Sequence, residues 1–535
     1  MISGITDISL MKESSATMDI SLISQIPNMN SILQHPRFES SERARVKHAA
    51  QSFLDELRAG ILSGAVQEIP SPDECAKRVL DMIVVESALH LRGVINATGV
   101  VLHTNLGRAP LGDHILSEAT DVFRGYSNLE YDLETGQRGS RYSHVEDIIC
   151  ELTGAEAAMV VNNNAAALFL ALAALAKGKR VAVSRGELVE IGGSFRIPEI
   201  MENSGAELVE VGTTNKTRLR DYTEAADGRS AEILLKVHTS NYEIVGFTES
   251  VSVAELASFG RQRGLPVLYD MGSCFLIPPG LPGLSAGETA ADAISSGADL
   301  ICFSGDKLIG SAQAGIVAGK AEYIAAMRKF PLARMVRPDK LTLSVLEATL
   351  RMYKYPDEAR RKIPAFAMLT EEPDMLKKRA EALALRIRQA LSSRDDAVSD
   401  AAVSDAAVSD AATRDAAASD AAVSDAAARD AAVSDAAARG AAVSDAVAWD
   451  VSVCETEDEA GGGSLPNVQL PGWGVRLSPA PGCMSVSKLE QRLRSGSDPV
   501  IIRIHDGNAI ISPRTLLPGD DDRLIEALRA AANEA

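Results

Sequence analysis

The architecture of this chain follows from residues 301–310, with the sequence Ile-Cys-Phe-Ser-Gly-Asp-Lys-Leu-Ile-Gly. The apolar run that enters this stretch is short and bounded by glycines, which is typical of a strand in a sheet covered on both faces. The lysine at its end, Lys307, would be costly to bury without a partner or a chemical role. Burial would also lower the pKa of its amine and make it a usable nucleophile. An exposed loop lysine is the ordinary alternative, so the rest of the chain must decide between them.

An aspartate upstream of Lys307 is a candidate partner for a bound cofactor. Asp270 follows the apolar run 265–269, which is predicted to be a neighbouring strand. A carboxylate at the end of such a strand can pair with a pyridinium nitrogen. An Asp that only caps a helix or closes a turn is the commoner case when nothing else is known.

A run of asparagines lies at a third strand end. Residues Asn162, Asn163, Asn164 and Ala165 follow the predicted strand 157–161 and open a helix. Backbone N–H groups and the dipole at a helix N-terminus can bind a phosphate. Plain N-capping by Asn explains the same residues equally well.

The order of these three features predicts a cofactor. A phosphate-binding turn, then an acidic strand end, then a lysine is the layout of pyridoxal 5′-phosphate (PLP) enzymes of the aspartate-aminotransferase fold. In that interpretation Lys307 forms the internal aldimine, Asp270 keeps the ring nitrogen protonated, and the ring acts as an electron sink.

The alternation of apolar runs with helical patterns predicts an α/β fold with a mostly parallel central sheet. No GxGxxG, Walker A or GxSxG motif occurs in the chain, so dinucleotide, nucleoside-triphosphate and serine-hydrolase functions have no support. The predicted strands are 157–161, 180–184, 207–211, 232–237, 265–269, 299–303 and 314–318.

Composition narrows the class of protein further. The six cysteines are scattered without a CxxC pair or nearby histidines, which argues against disulfides and against a metal site. The longest apolar run, 165–176, is too short to span a bilayer, and residues 1–17 do not resemble a secretion signal, so we expect no membrane association and a cytoplasmic protein. Most of the net charge of −19 lies in residues 395–460, so a basic surface elsewhere is compatible with it.

Three domains are predicted. Residues 1–70 form a small helical domain with a modest basic cluster, and residues 71–370 form the large domain, beginning with a linker helix over 72–91. Residues 371–535 form a small α/β domain that an insert at 396–460 interrupts. The insert repeats Ala-Ala-Val-Ser-Asp with a period of five, which fits neither a helical stripe nor a strand, and its residues bury little apolar surface. We therefore expect it to be disordered.

Several segments of the chain resemble bacterial selenocysteine synthase, the family of L-seryl-tRNA(Sec) selenium transferases. The resemblance covers about residues 20–370 and 464–535. One departure is Ser311-Ala312, where the family pattern has Gly-Pro, and the pentapeptide insert is another. The segments that carry the resemblance are 95–108, 136–143, 161–167, 240–242 and 303–307.

The resemblance implies a function and partners. It implies a PLP-dependent transferase of fold type I that converts L-seryl-tRNA(Sec) to L-selenocysteinyl-tRNA(Sec), with selenophosphate as selenium donor and a dehydroalanyl-tRNA intermediate. It further implies that the N-terminal domain binds tRNA. The assembly it implies is a homo-oligomer built from dimers, a decamer.

The resemblance also assigns roles to residues. Lys307 would hold PLP and then act as general base. Selenophosphate, a small anion, would be bound by guanidinium groups, and the spacing of Arg334 and Arg337 predicts that both lie on one helical face. The arginines that would bind this anion are Arg108, Arg334 and Arg337. The residues that would bind the cofactor's phosphate are Asn162, Asn163, Asn164, Ala165 and Ser304. Arg138 and Arg141 would serve the tRNA end or a partner subunit.

Two alternatives remain open at this point. A PLP-dependent lyase acting on a small amino acid or amino-sugar phosphate could use the same core, but it would need no basic N-terminal module. A tRNA-binding protein without catalysis would need neither Lys307 nor Asp270.

Overall fold

The computed structural model describes most of the chain. The described residues form two compact units, residues 1–93 and 94–535. No helix in the described part is long and apolar enough to cross a membrane. The described ranges are 20–39, 41–87, 89–192, 195–280, 288–392, 449–465, 468–481 and 484–533.

The strands, in chain order, are Ile95–Asn96 (β1), Ala157–Val161 (β2), Arg180–Ser184 (β3), Glu190–Ile191 (β4), Phe195–Arg196 (β5), Glu207–Val211 (β6), Ile233–Val237 (β7), Val267–Gly272 (β8), Leu300–Ser304 (β9), Gly315–Gly319 (β10), Trp449–Glu459 (β11), Gln469–Pro479 (β12), Val500–Ile501 (β13), Arg503–His505 (β14) and Asn508–Ile511 (β15).

The α-helices are Ile20–Ile23 (α1), Met29–Leu33 (α2), Arg43–Leu62 (α3), Pro72–Ser87 (α4), Asp113–Arg124 (α5), Glu146–Thr153 (α6), Asn164–Leu175 (α7), Ile197–Ser204 (α8), Leu219–Gly228 (α9), Val253–Arg263 (α10), Ala290–Ser295 (α11), Ala321–Lys329 (α12), Leu332–Met335 (α13), Lys340–Tyr353 (α14), Pro356–Lys362 (α15), Pro364–Thr370 (α16), Pro373–Ser392 (α17), Val486–Ser495 (α18) and Asp520–Asn533 (α19).

The first unit is helical, and α3 and α4 pack in one apolar cluster. Helix α4 begins where the sequence predicts, because the backbone N–H of Ser71 donates to the Glu74 carboxylate at 2.7 Å. The helix ends at Ser87, earlier than the predicted 72–91. Its buried face, which includes Cys75 and Val79, lies in the cluster of α3. The structure therefore groups this helix with the N-terminal unit, and its predicted assignment to the large domain is wrong.

The centre of the second unit is a seven-stranded sheet with the order β2-β10-β9-β8-β7-β3-β6. Its strand pairs are parallel except for those of β10, which runs antiparallel to β2 and β9. The predicted mostly parallel α/β fold is confirmed. Alternate residues of a strand face opposite sides of a sheet, and in β9 Ile301 and Phe303 belong to one apolar core while Leu300 and Cys302 belong to another. Helices cover both faces.

The C-terminal part forms a second, antiparallel sheet with the order β11-β12-β15-β14. Helices α17, α18 and α19 share its apolar core. Strands β14 and β15 form a hairpin, and Asp506 and Gly507 both have positive φ, of 49° and 74°, as its tight turn requires. Short β13 pairs in parallel with β1, which ties this part to the start of the large domain.

The predicted insert at 396–460 is wrong at its C-terminal end. Strand β11 occupies Trp449–Glu459 and pairs with β12 along its whole length. Trp449 and Val451 are buried while Asp450 between them is exposed, which is the period-two pattern of a half-buried strand. The sequence interpretation missed this because Asp450 also continues the five-residue repeat. The rest of the repeat lies outside the described residues.

Candidate active site

Two predicted site residues, Asp270 and Lys307, lie at the carboxyl ends of the neighbouring parallel strands β8 and β9, and His238 lies at the end of the next strand, β7. Asp270 lies inside β8, which extends three residues past the predicted end at 269. His238 follows β7 directly, and its backbone N–H donates to the Asp270 carbonyl at 2.8 Å. Lys307 lies in the turn after β9. In open α/β sheets this edge is where ligands bind.

Lys307 is buried, so the exposed-lysine alternative is wrong. It is 5% exposed, and its Nζ donates to the carbonyl oxygen of Gly463 at 2.8 Å. Burial lowers the pKa of the Lys307 amine, and the positive charge of Arg108 lowers it further, while Asp306 and Asp270 oppose the change. A lowered pKa increases the neutral fraction of the amine, which is the form that acts as a base or nucleophile.

Asp270 is 3% exposed and accepts its hydrogen bonds on one oxygen. Oδ1 receives the Asn164 side-chain amide at 2.8 Å and the Gly272 backbone N–H at 3.0 Å, and the Cys302 thiol lies 3.6 Å from the same atom. Burial raises the pKa of the Asp270 carboxyl, and the hydrogen bond from Asn164 opposes this. A cationic partner would stabilise the buried carboxylate.

The asparagine turn at the start of α7 was predicted either to cap the helix or to bind a phosphate, and the structure gives neighbouring asparagines different contacts. Asn163 is a plain N-cap, because its Oδ1 accepts from the Ala166 backbone N–H at 2.9 Å. Asn164 instead reaches Asp270 with its side chain. Asn162 and Ala165 are both exposed. Ala165 lies in the first turn of α7, where the helix itself leaves backbone N–H groups unbonded and available to an anion.

Strand β9, which precedes Lys307, pairs with β10, and β10 packs closely against the asparagine turn. Ser304, the last residue of β9, is buried and lies opposite Gly315 of β10. A Cβ added to Gly315 would lie 2.2 Å from the backbone oxygen of Asn163, so only glycine fits there. The close approach places Ser304 on the same side of the sheet edge as the asparagines.

Arg108 is held beside the lysine turn by an aspartate that the sequence analysis did not single out. Its guanidinium lies 2.7 Å from the Asp306 carboxylate, and Asp306 directly precedes Lys307. Arg108 has a positive φ of 65°, which few non-glycine residues adopt. In the sequence, the position of Asp306 directly before Lys307 could have indicated that it belongs to the site.

Arg334 and Arg337 do not share a helical face, so that prediction is wrong. Helix α13 ends at Met335, and Arg337 lies beyond it. Both arginines are exposed. The segment is nevertheless close to the asparagine turn, because the Asn162 backbone N–H donates to the Val336 carbonyl at 2.8 Å.

Glu130 gathers three arginines near this segment. Arg138 lies 2.8 Å from its carboxylate, Arg337 lies 3.4 Å away, and the buried Arg141 also pairs with it. Hydrogen bonding from Arg141 is the main cause of a lowered pKa of the Glu130 carboxyl. Arg138 and Arg141 are therefore both bound within the chain by Glu130.

Two further site residues carried no recognised signal in the sequence. Gly463, which lies just beyond the predicted insert, accepts a hydrogen bond from Lys307. His238 lies beside Asp270, and burial, then the charges of Lys236 and Lys307, lower the pKa of its imidazole. Its place directly after an apolar run could have pointed to it, as it did for Asp270.

The residues present fit PLP. Within the described ranges, the buried atoms Asn164 Oδ1, His238 Nδ1 and Ser240 Oγ have no hydrogen-bond partner, and buried polar atoms in folded proteins almost always have one. The donors that reach Asp270 all contact Oδ1, which leaves Oδ2 for a pyridinium N–H. The N-terminus of α7 offers backbone donors for a phosphate. The site thus has unmet polar groups where the ring and the phosphate would bind.

This arrangement, on a mostly parallel sheet, defines a PLP-dependent enzyme of fold type I. The structure is similar to one titled D-glucosaminate-6-phosphate ammonia-lyase, with a TM-score of 0.51 and 18% identity, covering 85% of this chain and 98% of that one. At that identity the similarity shows the fold alone.

The sequence comparisons identify the family. The model for L-seryl-tRNA selenium transferase (SelA) matches residues 94–431 and 426–517. L-seryl-tRNA(Sec) selenium transferases are 43% identical over 517 residues in Moorella thermoacetica (96% of this chain, 98% of that protein) and 45% identical over 496 residues in Solidesulfovibrio magneticus (92% and 93%). The chain belongs to this family of PLP-dependent enzymes that synthesise selenocysteine. The resemblance in sequence is confirmed, and the lyase alternative is the weaker one.

Proposed function

We propose that this chain converts L-seryl-tRNA(Sec) to L-selenocysteinyl-tRNA(Sec) with selenophosphate as selenium donor, and that Lys307 and Asp270 form its catalytic centre. The observation that carries the proposal is the buried Lys307, whose amine has a lowered pKa and lies at the strand end next to Asp270. Full-length similarity to transferases supports the substrate.

The chain's own groups can supply the acid–base chemistry. Bound PLP supplies an electron sink for negative charge that develops at the α-carbon of the serine. Asp270 would hold the ring nitrogen through Oδ2, with Asn164 fixing the carboxylate through Oδ1. Lys307 would accept the α-proton at Nζ, because its lowered pKa favours the neutral amine. Asn162, Asn163, Ala165 and Ser304 would bind the cofactor's phosphate.

The arginines supply a site for the selenium donor. Arg108 is close enough to Lys307 for its charge to lower the lysine's pKa. Residues 334–337 lie beside the asparagine turn through the contact between Asn162 and Val336. Guanidinium groups from these two directions would bind the oxygens of a selenophosphate anion near the serine's β-carbon.

The N-terminal residues 1–70 would bind the tRNA. Two basic side chains near the start of this segment, His35 and Arg37, lie 3.4 and 3.5 Å from Asp73 and are therefore engaged within the N-terminal unit. Arg43 and Lys47 remain exposed on α3 and could contact phosphates. We further propose a boundary near residue 370 between the large and the small domain. The assembly would be a homo-oligomer built from dimers, up to a decamer, and the location would be cytoplasmic, where charged tRNA is used.

The test is the visible spectrum of the full-length, PLP-loaded protein before and after addition of seryl-tRNA(Sec), with free serine as the control. We expect a spectral change with the charged tRNA only, followed by selenocysteinyl-tRNA(Sec) formation when selenophosphate is added. A change with free serine and none with the tRNA would favour the lyase. Sedimentation of the same sample tests the decamer.

A further inference from the structure

The C-terminal part of the chain contributes backbone to the active site. Residues 461–464, Gly-Gly-Gly-Ser, follow Ala460, the first residue after β11, and Gly463 accepts the hydrogen bond from Lys307 Nζ at 2.8 Å. We call these four residues the glycine segment. It is separated from the lysine by more than 150 positions in sequence.

The glycine segment is fixed to the large domain. The backbone N–H groups of Val101 and Leu102 donate to the carbonyls of Glu459 and Ala460 at 3.0 and 2.9 Å. Gly461 then passes so close to Leu102 that an added Cβ would lie 2.6 Å from its carbonyl oxygen. These contacts determine where the Gly463 carbonyl lies.

Gly463 is restricted to glycine by its backbone conformation. Its φ is +82°, and an added Cβ would lie in ordinary van der Waals contact with Lys307 Nζ, at 3.4 Å. The neighbouring Gly462 is not restricted in this way, because its φ is outside the left-handed range, and its added Cβ would meet only Thr104 Oγ1, at 3.7 Å. The two adjacent glycines therefore form a natural pair for comparison.

The acceptor of the lysine is a neutral carbonyl although two carboxylates are near. Asp306 is paired with Arg108, and Asp270 is bound by Asn164. A carboxylate bonded to Nζ would stabilise the ammonium and raise the pKa of the lysine. A carbonyl accepts a hydrogen bond from both the ammonium and the neutral amine, so it can hold Nζ in place while the proton leaves and returns.

We infer that the Gly463 carbonyl is the docking point of the Lys307 amine whenever the lysine is not bonded to the cofactor, and that the glycine segment thereby positions the amine for proton transfer. The inference rests on the proposed role of Lys307. It gives the C-terminal part a direct function in the chemistry of the large domain.

The test measures the protonation of Lys307 without catalysis. The full-length protein is freed of PLP, labelled with an amine-acylating reagent over a range of pH, and the modification of Lys307 is followed by mass spectrometry. The midpoint of the pH curve reports the lysine's pKa, and the plateau rate reports its accessibility. Lys307→Ala serves as the blank.

Gly463→Ala should lower the midpoint by about one pH unit, because alanine disfavours the left-handed φ of +82°, so the backbone turns, its carbonyl moves and the buried ammonium loses its acceptor. It should also slow the recombination of the protein with PLP, followed by visible absorbance. Gly462→Ala should match the unchanged chain in both. Equal midpoints for all three proteins, or equal shifts in both variants, would overturn the inference.

A second variant covers the case in which Gly463→Ala does not fold. Replacing Ser464 by its α-hydroxy acid analogue converts the Gly463 carbonyl from an amide to an ester, a weaker acceptor, without adding atoms. Ser464 is 1% exposed, and its Oγ has no partner in the described part of the chain, so Ser464→Ala is the matched control.

The ester should lower the midpoint and Ser464→Ala should not; an unchanged midpoint in the ester would contradict the inference. A failed role for Lys307 would show differently, as unaltered PLP absorbance in Lys307→Ala.

Discussion

The cofactor side of the site and its arginine side are built in different ways. On the cofactor side Lys307, Asp270 and Asn164 are linked to the protein by hydrogen bonds of 2.8 Å, and the lysine and the aspartate are almost fully buried. On the arginine side Arg334 and Arg337 are exposed, and Arg337 has one long contact of 3.4 Å with Glu130. The cofactor side is thus preorganised before any ligand arrives, which catalytic groups require. Arg334 and Arg337 are therefore free to change conformation when the substrate anion binds, whereas Arg108 is already held by Asp306.

This comparison predicts that changes on the cofactor side will damage the chemistry itself. Lys307→Ala should abolish the covalent attachment of PLP and reduce turnover by about a thousandfold or more, since it removes the proposed general base as well. Binding of seryl-tRNA(Sec) should remain. The measurements are the visible spectrum, single-turnover selenocysteine formation and a tRNA-binding titration. Lys354→Ala, which alters an exposed lysine paired with Glu151, is the control, and an active Lys307→Ala would remove the lysine from the mechanism.

Asp270→Asn should have the second largest effect. The amide keeps the shape of the side chain and can still accept from Asn164, but it cannot stabilise a protonated ring nitrogen. We expect PLP to bind and turnover to fall by about a hundredfold. Asp299→Asn is the control. Asp299 is also a buried aspartate next to a strand, but it precedes β9 and accepts a hydrogen bond from the Val267 backbone N–H, away from Lys307. Normal turnover in Asp270→Asn would contradict the assignment of its ring partner.

Changes on the arginine side should instead weaken binding of the selenium donor. Arg334→Ala and Arg337→Ala should each raise the KM for selenophosphate by about tenfold, the loss of one charge-assisted contact, and leave the PLP spectrum unchanged. Arg494→Ala is the control, because Arg494 is also an exposed arginine paired with a glutamate, Glu490, but it lies in α18; its KM for selenophosphate should not change. A changed PLP spectrum in Arg337→Ala would mean that the two sides are not separable.

The sequence predicted the cofactor side better than the arginine side, and the reason is physical. Burial on both faces of a parallel sheet leaves a local signature of short apolar runs, so the strands around Lys307 and Asp270 were located to within about three residues. The path of an exposed chain past a short helix leaves no such signature, and the shared face assigned to Arg334 and Arg337 was wrong. The contact between Lys307 and Gly463 joins distant parts of the chain, and no local pattern encodes it.

The smallest predicted effect is a dependence of stability on pH that the cofactor side imposes. Because burial and two lysines lower the pKa of His238, the folded protein keeps this imidazole neutral at a pH where the unfolded chain binds a proton. Stability is therefore highest above the ordinary histidine pKa of about 6.5 and is lost as the pH falls through it.

Between pH 8 and pH 5.5 the unfolding temperature of the unchanged, PLP-free protein should fall by roughly 2 °C more than that of His238→Asn. His144→Asn, at a histidine that contacts the Leu129 carbonyl outside the site, should follow the unchanged protein. An identical pH dependence in His238→Asn would show that the lowered pKa of His238 has no consequence for folding, whereas the expected difference would place the histidine with Lys307 and Asp270 in the preorganised half of the site.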